Sequence, residues 1–94
     1  MGQIIWTRTA LDDIDLIAEY VSRDSESAAA TLIVNLFDSV ERLATFPNSG
    51  RIVPEVNKDT MREVFYRSYR IMYQIDEDVI HIVRIVHGAR NWQP

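Results

Sequence analysis

Residues 62–85 read REVFYRSYRIMYQIDEDVIHIVRI, and the alternation of their side chains decides the fold. Val64 and Tyr66, then Ile71, Tyr73 and Ile75, then Val79, His81, Val83 and Ile85 recur at every second position, the period of strands with one buried face. Three consecutive strands are expected, as an antiparallel meander. Asp76-Glu77-Asp78 reads as the turn between the last two. Arg67-Ser68 has to turn the first pair, although tight two-residue turns favour Gly or Asn where φ is positive. With those turns Glu63 faces Met72 and Phe65 faces Arg70, while Met72 faces Ile82 and Arg70 faces Arg84. One sheet face then collects Glu63, Phe65, Arg67, Arg70, Met72, Gln74, Ile82 and Arg84. The other, from Val64 and Tyr66 through Ile71 and Tyr73 to His81, Val83 and Ile85, is far more apolar and is the side expected to pack on helices.

Upstream the period changes to that of helices. Leu11, Ile14, Ile17, Ala18 and Val21 recur at three- and four-residue steps and predict a first helix over about 9–22, starting at Thr7 or Thr9. Asp12 and Asp13 are expected in its first turn, where carboxylates suit the positive end of the dipole. Ala29, Leu32, Ile33, Leu36, Phe37, Val40, Leu43 and Ala44 predict a second helix over about 26–45, capped by Asp24 or Ser25. Pro47-Asn48-Ser49-Gly50 stops it, since proline cannot continue the ladder and glycine admits positive φ. Ahead of both, Gln3-Ile4-Ile5-Trp6-Thr7 is β-branched and aromatic and reads as a strand. The expectation is α+β: a strand, a helix hairpin, then a three-stranded antiparallel meander, in one domain spanning residues 1–94.

Ninety-four residues make one domain and no more, burying roughly 60–65% of the unfolded surface. Hydrophobic residues at 47% and charged residues at 26% exclude disorder and low-complexity classes. The chain has no cysteine, which excludes disulfide scaffolds, thiolate metal sites and cysteine nucleophiles together. Its longest apolar run is three residues, far short of the ~20 that span a bilayer, so no membrane role is expected. Net charge is −4, against nonspecific nucleic-acid binding through bulk positive field. The charge is uneven, however: residues 1–46 hold three arginines against eight acids, and residues 47–94 seven basic groups against six acids.

Arg70 opposite Arg84 is the informative pair, because like charges facing across strands cost roughly 0.2–1 kcal/mol. Two readings account for it. Either an anionic partner lies across two guanidinium forks, or Glu63 neutralises them on the same face. On this pairing Arg84→Ala is expected to cost little stability. His81 and His87 lie ~20 Å apart along one strand, too far to share a metal. His81 reads as a partly buried core histidine, and His87 opens the strand end at Gly88. Trp6, Trp92, Tyr66, Tyr69 and Tyr73 read as core before they read as base-stacking platforms. Asp12, Asp13, Asp15 and Glu19 read as the solvated side of the first helix. No nucleophile elbow, phosphate loop or metal motif is present.

Phe46-Pro47-Asn48-Ser49-Gly50-Arg51, Val53-Pro54-Glu55, Arg62-Glu63, Tyr69-Arg70-Ile71-Met72-Tyr73 and Ile85-Val86-His87-Gly88-Ala89-Arg90, in this order and spacing, strongly resemble the ParE/RelE superfamily of toxins from bacterial toxin–antitoxin modules. The resemblance runs from about Trp6 to Trp92. It implies a helix hairpin packed on an antiparallel or mixed sheet and a cognate antitoxin whose C-terminal segment wraps it, while the lack of cysteine points to a cytoplasmic protein. RelE-like members cut messenger RNA on the ribosome, whereas ParE-like members inhibit DNA gyrase. Arg70 and Arg90 match positions that RelE-like nucleases use around the scissile phosphate. Met61 and Glu63 stand where those enzymes carry basic side chains, and the tyrosine they place beyond the last strand has no counterpart up to Pro94.

Arg62-Glu63 with His87-Gly88-x-Arg90 resembles the ParE branch more closely. What the resemblance implies is a plasmid-stabilising, growth-arresting toxin that poisons DNA gyrase and is not an enzyme, with no cofactor and no metal. Arg51, Arg67, Arg70, Arg84 and Arg90 are the expected antitoxin- or target-facing cations. The alternatives are a RelE-type ribosome-dependent mRNA endoribonuclease using Arg70, His87 and Arg90, and a non-toxic member acting only in an antitoxin repressor complex. Sequence-specific DNA binding by this chain alone is not expected.

Overall fold

The computed structural model describes residues 2–88 and 92–93. Its elements are β1 (Gln3–Trp6), α1 (Arg8–Ser22), α2 (Glu26–Ser39), short 3-10 turns at Glu41–Ala44 and Pro47–Ser49, then β2 (Arg51–Ile52), β3 (Met61–Tyr66), β4 (Tyr69–Asp76) and β5 (Val79–His87). The sheet runs in the order β1-β5-β4-β3-β2. The meander β3-β4-β5 is antiparallel, β2 adds an antiparallel edge, and β1 closes the other edge in parallel to β5. The α+β architecture therefore stands, with β2 an edge strand too short for any period to show.

Thr7 fastens β1 to α1 and both to β5. Its hydroxyl accepts from the Ala10 amide at 3.2 Å, capping the helix, and donates to the Ile82 carbonyl at 2.8 Å. Because Thr7 is the cap, the helix begins at Arg8; Asp12 and Asp13 fall beyond its first turn, which holds no acid, contrary to the expectation. Ser25 caps α2 through the Ala28 amide. That helix ends at Ser39 rather than near residue 45. The Ser39 hydroxyl donates to the Leu36 carbonyl at 2.7 Å, a local bond that competes with continued helix, and the chain tightens into a 3-10 turn. Val40 and Leu43 remain buried all the same, which is why the apolar period outran the helix.

The first hairpin has the expected register, Glu63 opposite Met72 and Phe65 opposite Arg70, with Arg67 supplying the positive φ of 51°. The second hairpin does not. Its turn is two residues, Glu77 at φ 53° and Asp78, so Asp76 pairs with Val79. A bulge then falls between Met72 and Tyr73, leaving Tyr73 opposite Ile82 and Met72 opposite Arg84. Arg70 faces Val86, not Arg84. The helix-facing residues of β5 are accordingly Ile80, Ile82 and Ile85, not Val79, His81 and Val83, and His81 lies half-buried on the opposite face.

Ala10, Ile14, Leu32, Leu36, Val40 and Leu43 from the helical layer meet Val64, Ile71, Tyr73, Ile80, Ile82 and Ile85 from the sheet. Trp6 packs on Phe37 with ring centroids 4.5 Å apart, and Tyr66 accepts a bond from Asn35 Nδ2 at 2.9 Å. The other face is not left to solvent. Val53, Met61 and Met72 form a second core there, covered by Val56 and Trp92 and flanked by Val83 and Val86.

Tyr73 ties the sheet to the segment that leads into it. Its hydroxyl donates to the Pro47 carbonyl at 2.6 Å and accepts from the Gly50 amide at 3.0 Å, and burial raises its pKa above the ordinary phenol value. Gly50 is glycine for space and not for φ, which is −80°. A Cβ there would stand 2.5 Å from the Glu63 carbonyl oxygen and 2.6 Å from the Tyr73 hydroxyl. Tyr73→Phe strands the Gly50 amide and the Pro47 carbonyl, and is expected to lower unfolding free energy by about 1–3 kcal/mol in urea denaturation without changing the fold by circular dichroism.

Candidate functional site: a buried guanidinium–carboxylate chain

Glu63 on β3 is the centre of the site. Its side chain is fully buried, and each oxygen is claimed by a different strand: Oε2 accepts from Arg51 Nε of β2 at 2.6 Å and Oε1 from Arg70 Nε of β4 at 2.7 Å. Strand register brings this about, since Arg51 pairs with Glu63 and Phe65 pairs with Arg70. Arg70 is itself buried, and its Nη1 and Nη2 donate to Glu55 Oε2 and Oε1 at 2.8 and 2.7 Å, a fork-on-fork pair. Glu55 is carried by a turn in which Val56 and Asn57 amides both donate to the Val53 carbonyl, with Asn57 at φ 55°. Arg51 also lies over the Phe65 ring, 5.1 Å from its centroid.

The chain Arg51, Glu63, Arg70, Glu55 holds two positive and two negative charges and is neutral overall. Neutrality is what allows Glu63 and Arg70 to be buried at all, because an unpaired charge there would cost several kcal/mol. The Arg70 guanidinium holds the Glu55 carboxyl well below the usual range, at about 2 against an ordinary 4.5. The hydrogen bonds that Arg70 donates to Glu55 and Glu63 raise its own pKa further above its already high value.

The remaining candidates are scattered. Arg84 reaches across to α1, where its Nε donates to Asp13 Oδ2 at 2.8 Å, and the same oxygen accepts from the Ile85 amide at 2.9 Å. Asp13 is thus no solvated helix residue; it caps the edge of β5 just beyond the point where β1 stops. Arg67, exposed on its turn, rests over the Tyr66 ring 5.5 Å from the centroid. His87 meets Tyr69 edge-on at 5.6 Å, beside a groove of about 690 Å³ between α1 and the end of β5. Arg90 lies outside the described residues. The side-by-side pair of Arg70 and Arg84 on an open face does not exist: the bulge separates them, one is buried and each has its own carboxylate. Glu63 neutralises Arg70, as one reading allowed, but with Arg51 in place of Arg84.

Sequence reasoning missed Glu55 and Asp13. Nothing in their spacing marks them, since Asp13 meets a residue 71 positions away and Glu55 one 15 positions away, on the far side of β3. Among the described residues no group of three His, Asp or Glu side chains is placed to hold a metal, and no helix is long and apolar enough to cross a membrane.

The element order, the sheet closed in parallel by its first strand and the helix hairpin behind it form the fold expected of the ParE/RelE superfamily, and the family model and relatives that it matches place the chain in that class of small toxins. Within that class the chain belongs to the ParE toxin family of type II toxin–antitoxin systems, parDE, whose family model matches residues 4–92. It is 36% identical over 91 residues to Toxin RelE2 of Caulobacter vibrioides, covering 96% of this chain and 99% of that one. It is 27% identical over 92 residues to Toxin ParE3 of the same organism, covering 97% and 91%. A solved chain from the chromosomal ParDE toxin–antitoxin system of P. aeruginosa superposes with a TM-score of 0.77 at 23% identity, over 93% of this chain and 96% of that one, and shares the fold.

Two outcomes follow from the ion pairs. Asp13→Ala removes the acceptor of both Arg84 and the Ile85 amide and is expected to cost about 1–3 kcal/mol, more than Arg84→Ala at about 1–2 kcal/mol, read from paired urea midpoints. Arg84→Ala is therefore not the harmless change that strand pairing alone suggested. Glu55 has a depressed pKa, so its contribution is fully present above 4.5 and is lost as pH falls from 4.5 toward about 2. Urea midpoints measured from pH 5 to pH 2.5 should fall less steeply for Glu55→Gln than for the unaltered chain.

Proposed function

We propose that this chain is the toxin of a type II module, masked by a cognate antitoxin, and that it inhibits DNA gyrase rather than cutting RNA. The observation that carries the reading is the state of Arg70. Phosphodiester cleavage needs cations aimed at the developing phosphorane together with a general base and a general acid. The inner edge of Arg70 is bound by Glu63 and its outer edge by Glu55, so with Glu55 in place neither edge of the guanidinium is aimed at a phosphorane. Met61 and Glu63, where nuclease relatives carry basic groups, are both buried.

Such a toxin acts in the cytoplasm, arrests growth when made without its antitoxin, and stabilises a plasmid that encodes the pair. The antitoxin reading is supported by family membership and by the solved relative coming from a ParDE system. One observation favours the nuclease reading instead, the 36% identity to a relative named RelE2. The two separate in vitro. Purified toxin should block supercoiling by gyrase and leave translating transcripts intact, and antitoxin should relieve the block. Cleavage of messages only in the presence of ribosomes, with gyrase untouched, would reverse the assignment.

A further inference from the structure

The two edges of Arg70 have different neighbours. Its Nε edge donates to Glu63, a carboxylate with no exposed surface that Arg51 also holds, so the orientation of the guanidinium plane is set from within the sheet. Its outer edge, Nη1 and Nη2, points at Glu55 on the surface turn after Val53-Pro54, and the Glu55 side chain is 30% exposed against 7% for Arg70. The buried half of the network thus fixes a two-donor fork, and the other half occupies that fork from the solvent side.

We propose that the outer edge of Arg70 is a receptor for a carboxylate of a partner's acidic segment, and that Glu55 fills it as an intramolecular stand-in which the partner displaces. Glu55 itself shows the fit: two carboxylate oxygens at 2.7 and 2.8 Å on two guanidinium donors. The receptor is preorganised, since Glu63 already holds the guanidinium in place and little ordering remains to oppose binding. Charge selects the occupant. The four-residue cluster is neutral with one carboxylate in the fork, so a carboxylate can replace a carboxylate without leaving net charge against a buried Arg70, whereas a dianion cannot. Arg51, whose side chain is 56% exposed, adds a second cation at the rim.

A tethered occupant competes at high effective concentration, so a free acid binds the unaltered chain poorly, and only a segment making further contacts nearby displaces it. Under the antitoxin reading above, on which the identity of the natural partner rests, that segment is an acidic stretch of the antitoxin.

The test uses the full chain labelled with nitrogen-15, following the Arg70 Nε–Hε resonance in the unaltered protein, in Glu55→Gln and in Glu55→Asp, whose shorter side chain draws the carboxylate back from the fork. The probes are N-acetylglutamate amide, with one free carboxylate, and inorganic phosphate, at matched ionic strength. The expected result is a saturable shift with the glutamate derivative in both variants, at an apparent affinity about tenfold or more above that of the unaltered chain. Equal responses in all three proteins would overturn the proposal, as would a response to phosphate without one to the carboxylate. Gyrase takes no part in this measurement, so its outcome is independent of the target assignment.

Discussion

A carboxylate with no exposed surface has to be matched charge for charge, and Glu63 imposes that requirement on three strands at once. Arg51 is drawn to one oxygen and Arg70 to the other, which pins the two-residue strand β2 to the edge of β3 and fixes the guanidinium of β4. Arg70 in turn recruits Glu55 and with it the turn that follows Val53. Burying charged groups in this way is worth little in net stability compared with an apolar core of the same volume. What it does here is select one register. A slip of one residue in β2 or β4 would leave Glu63 buried against a side chain of the wrong kind.

The helical layer was legible because its apolar residues keep a 3.6-residue period, and the first hairpin because Val64, Tyr66, Ile71 and Tyr73 alternate cleanly on both sides of a short turn. The second hairpin was misread for a local reason. Asp76-Glu77-Asp78 offers three turn-forming residues, and only two are used, with Glu77 taking the positive φ. The bulge between Met72 and Tyr73 then shifted the pairing of β4 with β5 once more. A period-two pattern does not register that shift, because β5 is apolar on both faces, with Ile80, Ile82 and Ile85 toward the helices and Val83 and Val86 toward the second core. That single pair of shifts moved Arg84 away from Arg70. At the candidate site the arginines could be picked out by charge, but their carboxylate partners could not, because Asp13 and Arg84 lie 71 residues apart and Glu55 and Arg70 lie 15 apart across a turn.

The two faces of the sheet are covered unequally, and this shapes what the protein can offer to others. One side is sealed by the helix hairpin. The other is capped only in part, by the Val53–Val56 turn and Trp92, with Phe65 and Arg51 left outside. Family membership says toxin, and the chemistry of this second face says that its most deeply seated cation is already neutralised. Under the reading proposed above, such a surface serves recognition of proteins, and a partner engages it by substituting for an existing contact.

The parallel pairing of β1 with β5 joins the two ends of the chain: Thr7 bonds to Ile82 across 75 residues. During synthesis the first strand leaves the ribosome early and has no strand partner until β5 follows it out. Helix α1, capped by the same threonine, waits with it for Asp13 to find Arg84 and the Ile85 amide. Long-range closure of this sort is slow relative to local helix formation. The consequence is kinetic: until the segment carrying Ile82 to Ile85 has been made, neither the parallel edge of the sheet nor the Asp13 contacts exist, so the sheet is finished last.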